Sequence, residues 1–244
     1  MFNIKINGRL FQSCVRVMSA IVSETTFVVD KDGMSTKAVD PANAVLSSVR
    51  IPKECFSVYE VTDADICVDL VKIVDILGLL EKSDDIAMKI NEETYQLDIE
   101  IGNLRYTMAL LDPYNITKSP QIPALNLPAV FELPVIKYAK AIKASEMVGS
   151  HMLIGMNDDG VYMRATDGAD EVNLDVVGDD IVITHGGDVS GLYAIDYLTD
   201  IRKGIGSADS MQISLGTDMP LVIDFSPAPD CDAVYILAPR IEGN

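Results

Sequence analysis

Phe27-Val28-Val29-Asp30-Lys31-Asp32-Gly33-Met34-Ser35-Thr36-Lys37-Ala38 has a second copy 127 residues later, Ile154-Gly155-Met156-Asn157-Asp158-Asp159-Gly160-Val161-Tyr162-Met163-Arg164-Ala165. In both, Asp-Gly sits between runs that alternate apolar with other residues. That pattern reads as a β-hairpin, because glycine accepts the positive φ that a tight turn needs. Working outward, the same offset lays residues 4–49 on 131–176 without a gap. Only eight positions are identical, so the match rests on residue class: Ile6/Leu133, Phe11/Tyr138, Val15/Ile142, Arg16/Lys143, Ile21/Val148. The duplicated unit is therefore a strand, an amphipathic helix and a hairpin together. Further on the copies correspond with small slips, and Asp69 meets Asp196 at the same offset.

A chain of 244 residues repeated in this way divides into two similar domains, 1–112 and 129–244, each long enough to bury its own core. Between them, residues 113–128 carry prolines 113, 120, 123 and 128, which favours an extended, semi-rigid connector. Helical periodicity places four helices at about 9–22, 69–82, 134–149 and 195–206. In the first, Leu10, Cys14, Val17, Met18 and Ile21 form the apolar face; in the third, Lys137, Lys140 and Lys143 form a basic stripe. Alternating runs at 87–90, 96–101, 105–111, 211–215, 221–225 and 233–237 are too many strands with too few long crossovers for a parallel doubly wound sheet. The expected class is α+β, two tandem domains of antiparallel sheet with the helices gathered on one face.

The net charge of −18 argues against nucleic acid until its distribution is considered. The four helices hold nine basic residues (Arg9, Arg16, Lys72, Lys82, Lys137, Lys140, Lys143, Arg202, Lys203) against six acids, Asp69, Asp75, Glu81, Glu146, Asp196 and Asp200. Nine less six is +3, which leaves −21 for everything else. Helices lining one surface would make it basic within an acidic body.

Catalytic and metal-binding patterns are missing from the sequence. Two histidines, His151 and His185, have no metal-ligand spacing, and Cys14, Cys55, Cys67 and Cys231 are scattered without a CxxC pair. No nucleophile elbow, P-loop or dinucleotide fingerprint is present; Gly204-x-Gly206 reads as a helix end. Acidic pairs such as Asp158-Asp159 and Asp179-Asp180 read as solvated turns. No catalytic residue, cofactor or metal is expected. No apolar run reaches membrane-spanning length, so the expectation is a soluble intracellular protein.

Four stretches in order, Ala38-Val39-Asp40-Pro41-Ala42-Asn43, Leu110-Leu111-Asp112-Pro113, Gly216-Thr217-Asp218-Met219-Pro220-Leu221 and Leu237-Ala238-Pro239-Arg240-Ile241-Glu242, resemble DNA sliding clamps of the proliferating cell nuclear antigen type, archaeal ones in particular. The resemblance covers the whole chain. It implies a closed ring of three subunits with helices inside, sheets outside and no enzymatic activity, located in the cytoplasm on the nucleoid, or in the nucleus of a eukaryote. The nine basic helix residues would then face encircled duplex DNA, through phosphates and without sequence preference.

The resemblance also implies a docking groove for short motifs with one aliphatic and two aromatic anchors, carried by DNA polymerase, clamp loader, flap nuclease and ligase. Residue by residue it falls on Asn43, Ala44, Leu46, Ile122, Pro220, Ile236, Ala238, Pro239, Arg240 and Ile241. Subunits would join edge to edge through Arg105, Tyr106, Met108 and Leu110 on one side and Val172, Leu174 and Val176 on the other. One subunit of a heterotrimeric or checkpoint-type clamp, or an acidic interaction scaffold that never touches DNA, are the alternative readings.

Overall fold

The computed structural model describes every residue except 116–120, 123, 179–180, 207 and 242–244. The connector's Pro120 and Pro123, the Asp179-Asp180 cluster and Glu242 therefore lie outside the described residues. The chain forms two compact units. One comprises Met1–Pro41, Ser47–Pro120 and Ser226–Ala233; the other comprises Ala42–Leu46, Gln121–Phe225 and Val234–Asn244.

In the first half the elements run β1 (Phe2–Asn7), α1 (Gly8–Ser19), β2 (Glu24–Asp30), β3 (Gly33–Val39), β4 (Val45–Pro52), β5 (Phe56–Val61) and β6 (Ala64–Asp69), then α2 (Leu70–Leu77), β7 (Asp85–Asn91), β8 (Gln96–Ile101) and β9 (Leu104–Ala109). The second half repeats the series. It runs β10 (Ala129–Pro134), α3 (Val135–Ser145), β11 (His151–Asn157), β12 (Gly160–Asp167), β13 (Asp170–Val176), β14 (Val182–His185) and β15 (Val189–Ala194), then α4 (Ile195–Ile205), β16 (Ser210–Leu215), β17 (Leu221–Phe225) and β18 (Asp232–Leu237).

Strand orders match element for element. They are β5-β1-β7-β8-β9 with β4-β3-β2-β6, and β14-β10-β16-β17-β18 with β13-β12-β11-β15. Pairing within them is antiparallel. The fold class is the α+β one expected, two tandem similar domains.

The 127-residue offset holds for β1 against β10 and β2 against β11, but it slips to 125 at β6 against β15. Asp69 and Asp196 are consequently not equivalent. Asp69 is the N-cap of α2, its carboxylate accepting from Val71 N (2.9 Å) and Lys72 N (3.2 Å), whereas Asp196 lies inside the first turn of α4 after Ala194. An acid at either place offsets unpaired N–H groups at a helix start.

The hairpins form as their sequences predict. Asp30 Oδ1 accepts from Asp32 N and Gly33 N, and Asn157 Oδ1 accepts from Asp159 N, which closes the two turns. Gly33 and Gly160 adopt φ of 142° and 138°, and a Cβ would sit 2.3 Å from Ile51 O and 2.6 Å from Val176 O. Glycine is needed there for both conformation and space.

The helices are shorter than their periodicity suggests. α1 ends at Ser19, where Ile21 N and Val22 N both turn back to Met18 O, and α3 ends at Ser145 in similar turns. Residue Phe11 (1% exposed) and Val15 are buried with Cys14, Val17 and Met18, while Leu10 is half-exposed and Ile21 lies beyond the helix. α2 stops at Leu77 because Gly78, a poor helix former, follows and Leu80 turns into the core. α1 packs on β1 and β7, and α2 on β2 and β6. α3 packs on β10, β12 and β13, and α4 on β15. Each unit's core lies between its helices and sheets. Among the described residues no helix is long and apolar enough to cross a membrane.

Candidate nucleic-acid interface and docking groove

Burying one face of each helix leaves the opposite face to carry its charged residues. Arg16, Lys140 and Lys143 are exposed and make no ion pair among the described residues; Lys137 is half-exposed on the same helix as the last two. Lys72 and Lys203 pair with the acids three residues before them, Asp69 (3.4 Å) and Asp200 (2.8 Å). Such exposed pairs contribute about 0–1 kcal/mol, little enough for an incoming phosphate to displace the carboxylate. Arg9 is more restrained: its guanidinium donates to Gln12 Oε1 and to Leu80 O, both at 2.8 Å, so α1 is pinned to the end of α2.

Two of the nine expected residues are placed otherwise. Lys82 lies beyond α2, in the turn before β7. Arg202 braces two helices: it reaches Glu146 Oε1 at 3.4 Å, where Thr199 Oγ1 also donates at 2.8 Å, and its Nε is buried without a partner. Less than a third of its side chain is exposed. This contact between α3 and α4 is tertiary, so helix periodicity could not reveal it.

The ten expected groove residues all fall within the second compact unit, although they come from four separate segments. Ala238 N donates to Ala44 O at 2.8 Å, tying the tail to the loop before β4. Arg240 N donates to Leu192 O at 2.6 Å, laying the tail along the edge of β15. The loop holding Pro220 is fixed by Tyr193, whose hydroxyl donates to Met219 O at 2.8 Å, and by Asp218 N donating to Ser190 O. Burial and nearby Asp218 push the Tyr193 hydroxyl well above its ordinary pKa, so it stays a donor. Asn43 holds a positive φ of 57° in the turn.

Within this set, exposure separates two pairs of residues. Leu46 (9%) and Ile236 (8%) are buried, whereas Ile122 (41%) and Ile241 (74%) are open. Beside the tail a cavity of about 1000 Å³ opens over the outer face of β11, β12 and β15, lined by His151, Leu153, Arg164 and Leu192 with Arg240 and Ile241 at its rim. The sequence reading missed this wall. Its signal was the alternation in β11, which turns Met152 and Ile154 inward and His151 and Leu153 outward.

The expected subunit contacts lie on β9, on Leu110 just after it and on β13; among the described residues each strand is hydrogen-bonded on one side only, as the last of its sheet. Arg105 is exposed and paired with Glu100; Tyr106, Val172 and Leu174 are half-buried. Met108, Leu110 and Val176 are less exposed than the others. They are buried in the chain's own core (3%, 9% and 2%), whereas Tyr106, Val172 and Leu174, which alternation puts on the same strand faces, stay half-buried. Among the described residues no three His, Cys, Asp or Glu side chains are placed to hold a metal ion.

Comparison with known proteins agrees with this arrangement along the whole chain. Residues 1–107 match the family model described as proliferating cell nuclear antigen, N-terminal domain, and residues 121–240 match the C-terminal domain. A DNA polymerase sliding clamp of Methanosarcina barkeri is 39% identical over 245 residues, covering all of both chains. One of Halobacterium salinarum is 33% identical over 247 residues, again covering both completely. The solved structure of the C-terminal region of FEN-1 bound to A. fulgidus PCNA superposes with a TM-score of 0.93 at 30% identity, covering 100% of each chain. The two family-model matches follow the duplicated domains, and the chain belongs to the proliferating cell nuclear antigen family of DNA polymerase sliding clamps.

Proposed function

We propose that three copies of this chain close head to tail around duplex DNA and tether replication and repair proteins to it. The clamp performs no chemistry of its own. The observation that carries the reading is the pair of unpartnered sheet edges, taken with the repeat. Within the chain, the residue after β18 is hydrogen-bonded to the residue before β4, Ala238 N to Ala44 O. By the repeat, β18 corresponds to β9 and β4 to β13. Among the described residues, β9 and β13 are each the last strand of their sheets and leave one edge unpaired. A head-to-tail contact between unlike edges either closes or grows without limit, and closure removes the exposed edges.

Inside the ring, Arg16, Lys137, Lys140 and Lys143, with Arg9, Lys72 and Lys203, would contact phosphates, which position a protein without reading sequence. Each contact releases counterions, so residual affinity falls with salt by about 0.9 logarithmic units per phosphate. The acidic remainder of the surface discourages DNA elsewhere. Polymerase, clamp loader, flap nuclease and ligase would dock by short apolar motifs on Ile122, Pro220, Pro239 and Ile241, with Leu46 and Ile236 as the buried floor. The setting is the cytoplasm, on the nucleoid. Light-scattering mass in solution tests the assembly: about three times the 26.5 kDa chain is expected, and a monomer at micromolar concentration would contradict it.

A further inference from the structure

All four thiols lie in the first compact unit, and three of them gather there. Cys14 and Cys231 are buried, at 2% and 0% exposure, and Cys55 is partly exposed. Cys55 Sγ and Cys231 Sγ lie 3.9 Å apart, and Cys231 is hydrogen-bonded on its other side to Cys14. Cys55 closes the short 3-10 turn Lys53–Cys55, and its S–H also points at Pro229 O (4.0 Å). Cys231 follows a turn in which Asp230 has a φ of 62°, and it precedes the first residue of β18. Both sulfurs thus hang from turns, and neither belongs to a strand ladder. A disulfide needs them about 2.05 Å apart, a combined movement of about 2 Å that turns can supply.

We propose that Cys55 and Cys231 form a reversible disulfide inside this unit, a modification site for oxidants of the peroxide class. Peroxide reaches Cys55 first, because it alone of the three is partly exposed. The Cys55 sulfur attacks one peroxide oxygen; the O–O bond breaks, and hydroxide leaves with the thiol proton as water. The Cys231 sulfur then attacks the Cys55 sulfenic acid; the S–O bond breaks, and a second water carries off the Cys231 proton. The two thiols lose two electrons and the peroxide gains two.

The pair is slow to react at neutral pH. Burial, Cys231, and the carboxylates of Asp230 and Glu54 push the Cys55 thiol up to about 12, and Cys14, burial and Asp232 raise Cys231 as well. The rate should rise about tenfold per pH unit across the neutral and alkaline range, since thiolate is the attacking form.

The test is a large excess of hydrogen peroxide on the full chain at alkaline pH, followed until the thiol count no longer changes. Thiols titrated after denaturation should fall from four to two, and an unreduced peptide map should join the Cys55 and Cys231 peptides. Melting temperature should rise by about 5–10 °C, because the cross-link closes a very long loop, and dithiothreitol should reverse it. C55S should keep its remaining thiols, and C231S should leave a Cys55 sulfenic acid that dimedone captures. Four surviving thiols, a Cys55 sulfinic acid without cross-link, or a Cys14–Cys231 bridge would each overturn the proposal.

Discussion

Truncating Ile241 separates a docking anchor from a core residue. Its side chain is 74% exposed, so about three-quarters of its apolar surface is left for a partner to cover. Full burial of an isoleucine is worth about 1.5–3 kcal/mol, so Ile241→Ala should cost about 1–2 kcal/mol of binding, roughly 5–30-fold in Kd. Ile241→Asp should cost more, because docking would then desolvate an unpaired carboxylate. Leu46→Ala at the floor behaves differently. Leu46 is only 9% exposed, so the change leaves a cavity in the free protein and costs about 2–4 kcal/mol of stability. The assay is fluorescence anisotropy with a labelled peptide carrying one aliphatic and two aromatic anchors, alongside thermal melts of each variant. The expected result is weakened binding with unchanged melting for Ile241→Ala, and lowered melting for Leu46→Ala. Binding within twofold of the parent for both Ile241 variants would refute the assignment of the tail to the groove.

Replacing Arg16, Lys140 and Lys143 together by alanine should lower the slope of log affinity against log salt by about 0.9 for each phosphate that is no longer neutralised, read by DNA binding from 50 to 200 mM salt. Arg202→Ala should leave that slope alone and instead lower the melting temperature by about 2–4 °C, since it removes the brace to Glu146. Gly33→Ala and Gly160→Ala should each cost about 2 kcal/mol or more, seen as a lower denaturation midpoint, because a Cβ meets a backbone oxygen at 2.3 and 2.6 Å.

Much of the fold was legible because local chemistry and long-range symmetry agree. The Asp-Gly turns and the offset of 127 located β2, β3, β11 and β12, and the same offset brings β1 onto β10. Helix ends were less legible: Ile21 and Val22 continue the apolar period of α1, yet their N–H groups turn back to Met18 in a closing turn. Residue Phe11, not Leu10, fills the core, because the helix is rotated by the demands of packing and periodicity alone leaves that rotation loose. At the site, backbone hydrogen bonds bring together the tail and the loop before β4, two of the segments that motif resemblance had named. Resemblance could not tell buried Leu46 from exposed Ile241, since that depends on what the rest of the chain covers. Nor could it show that Arg202 reaches Glu146, 56 residues away at the end of another helix.

Retention on closed against open DNA tests the central claim most directly. Clamp loaded by its loader onto nicked circular plasmid, then followed by gel filtration in moderate salt, should stay bound and should dissociate rapidly once a single restriction cut linearises the circle. Equal rates of dissociation from circular and linear plasmid would contradict encirclement.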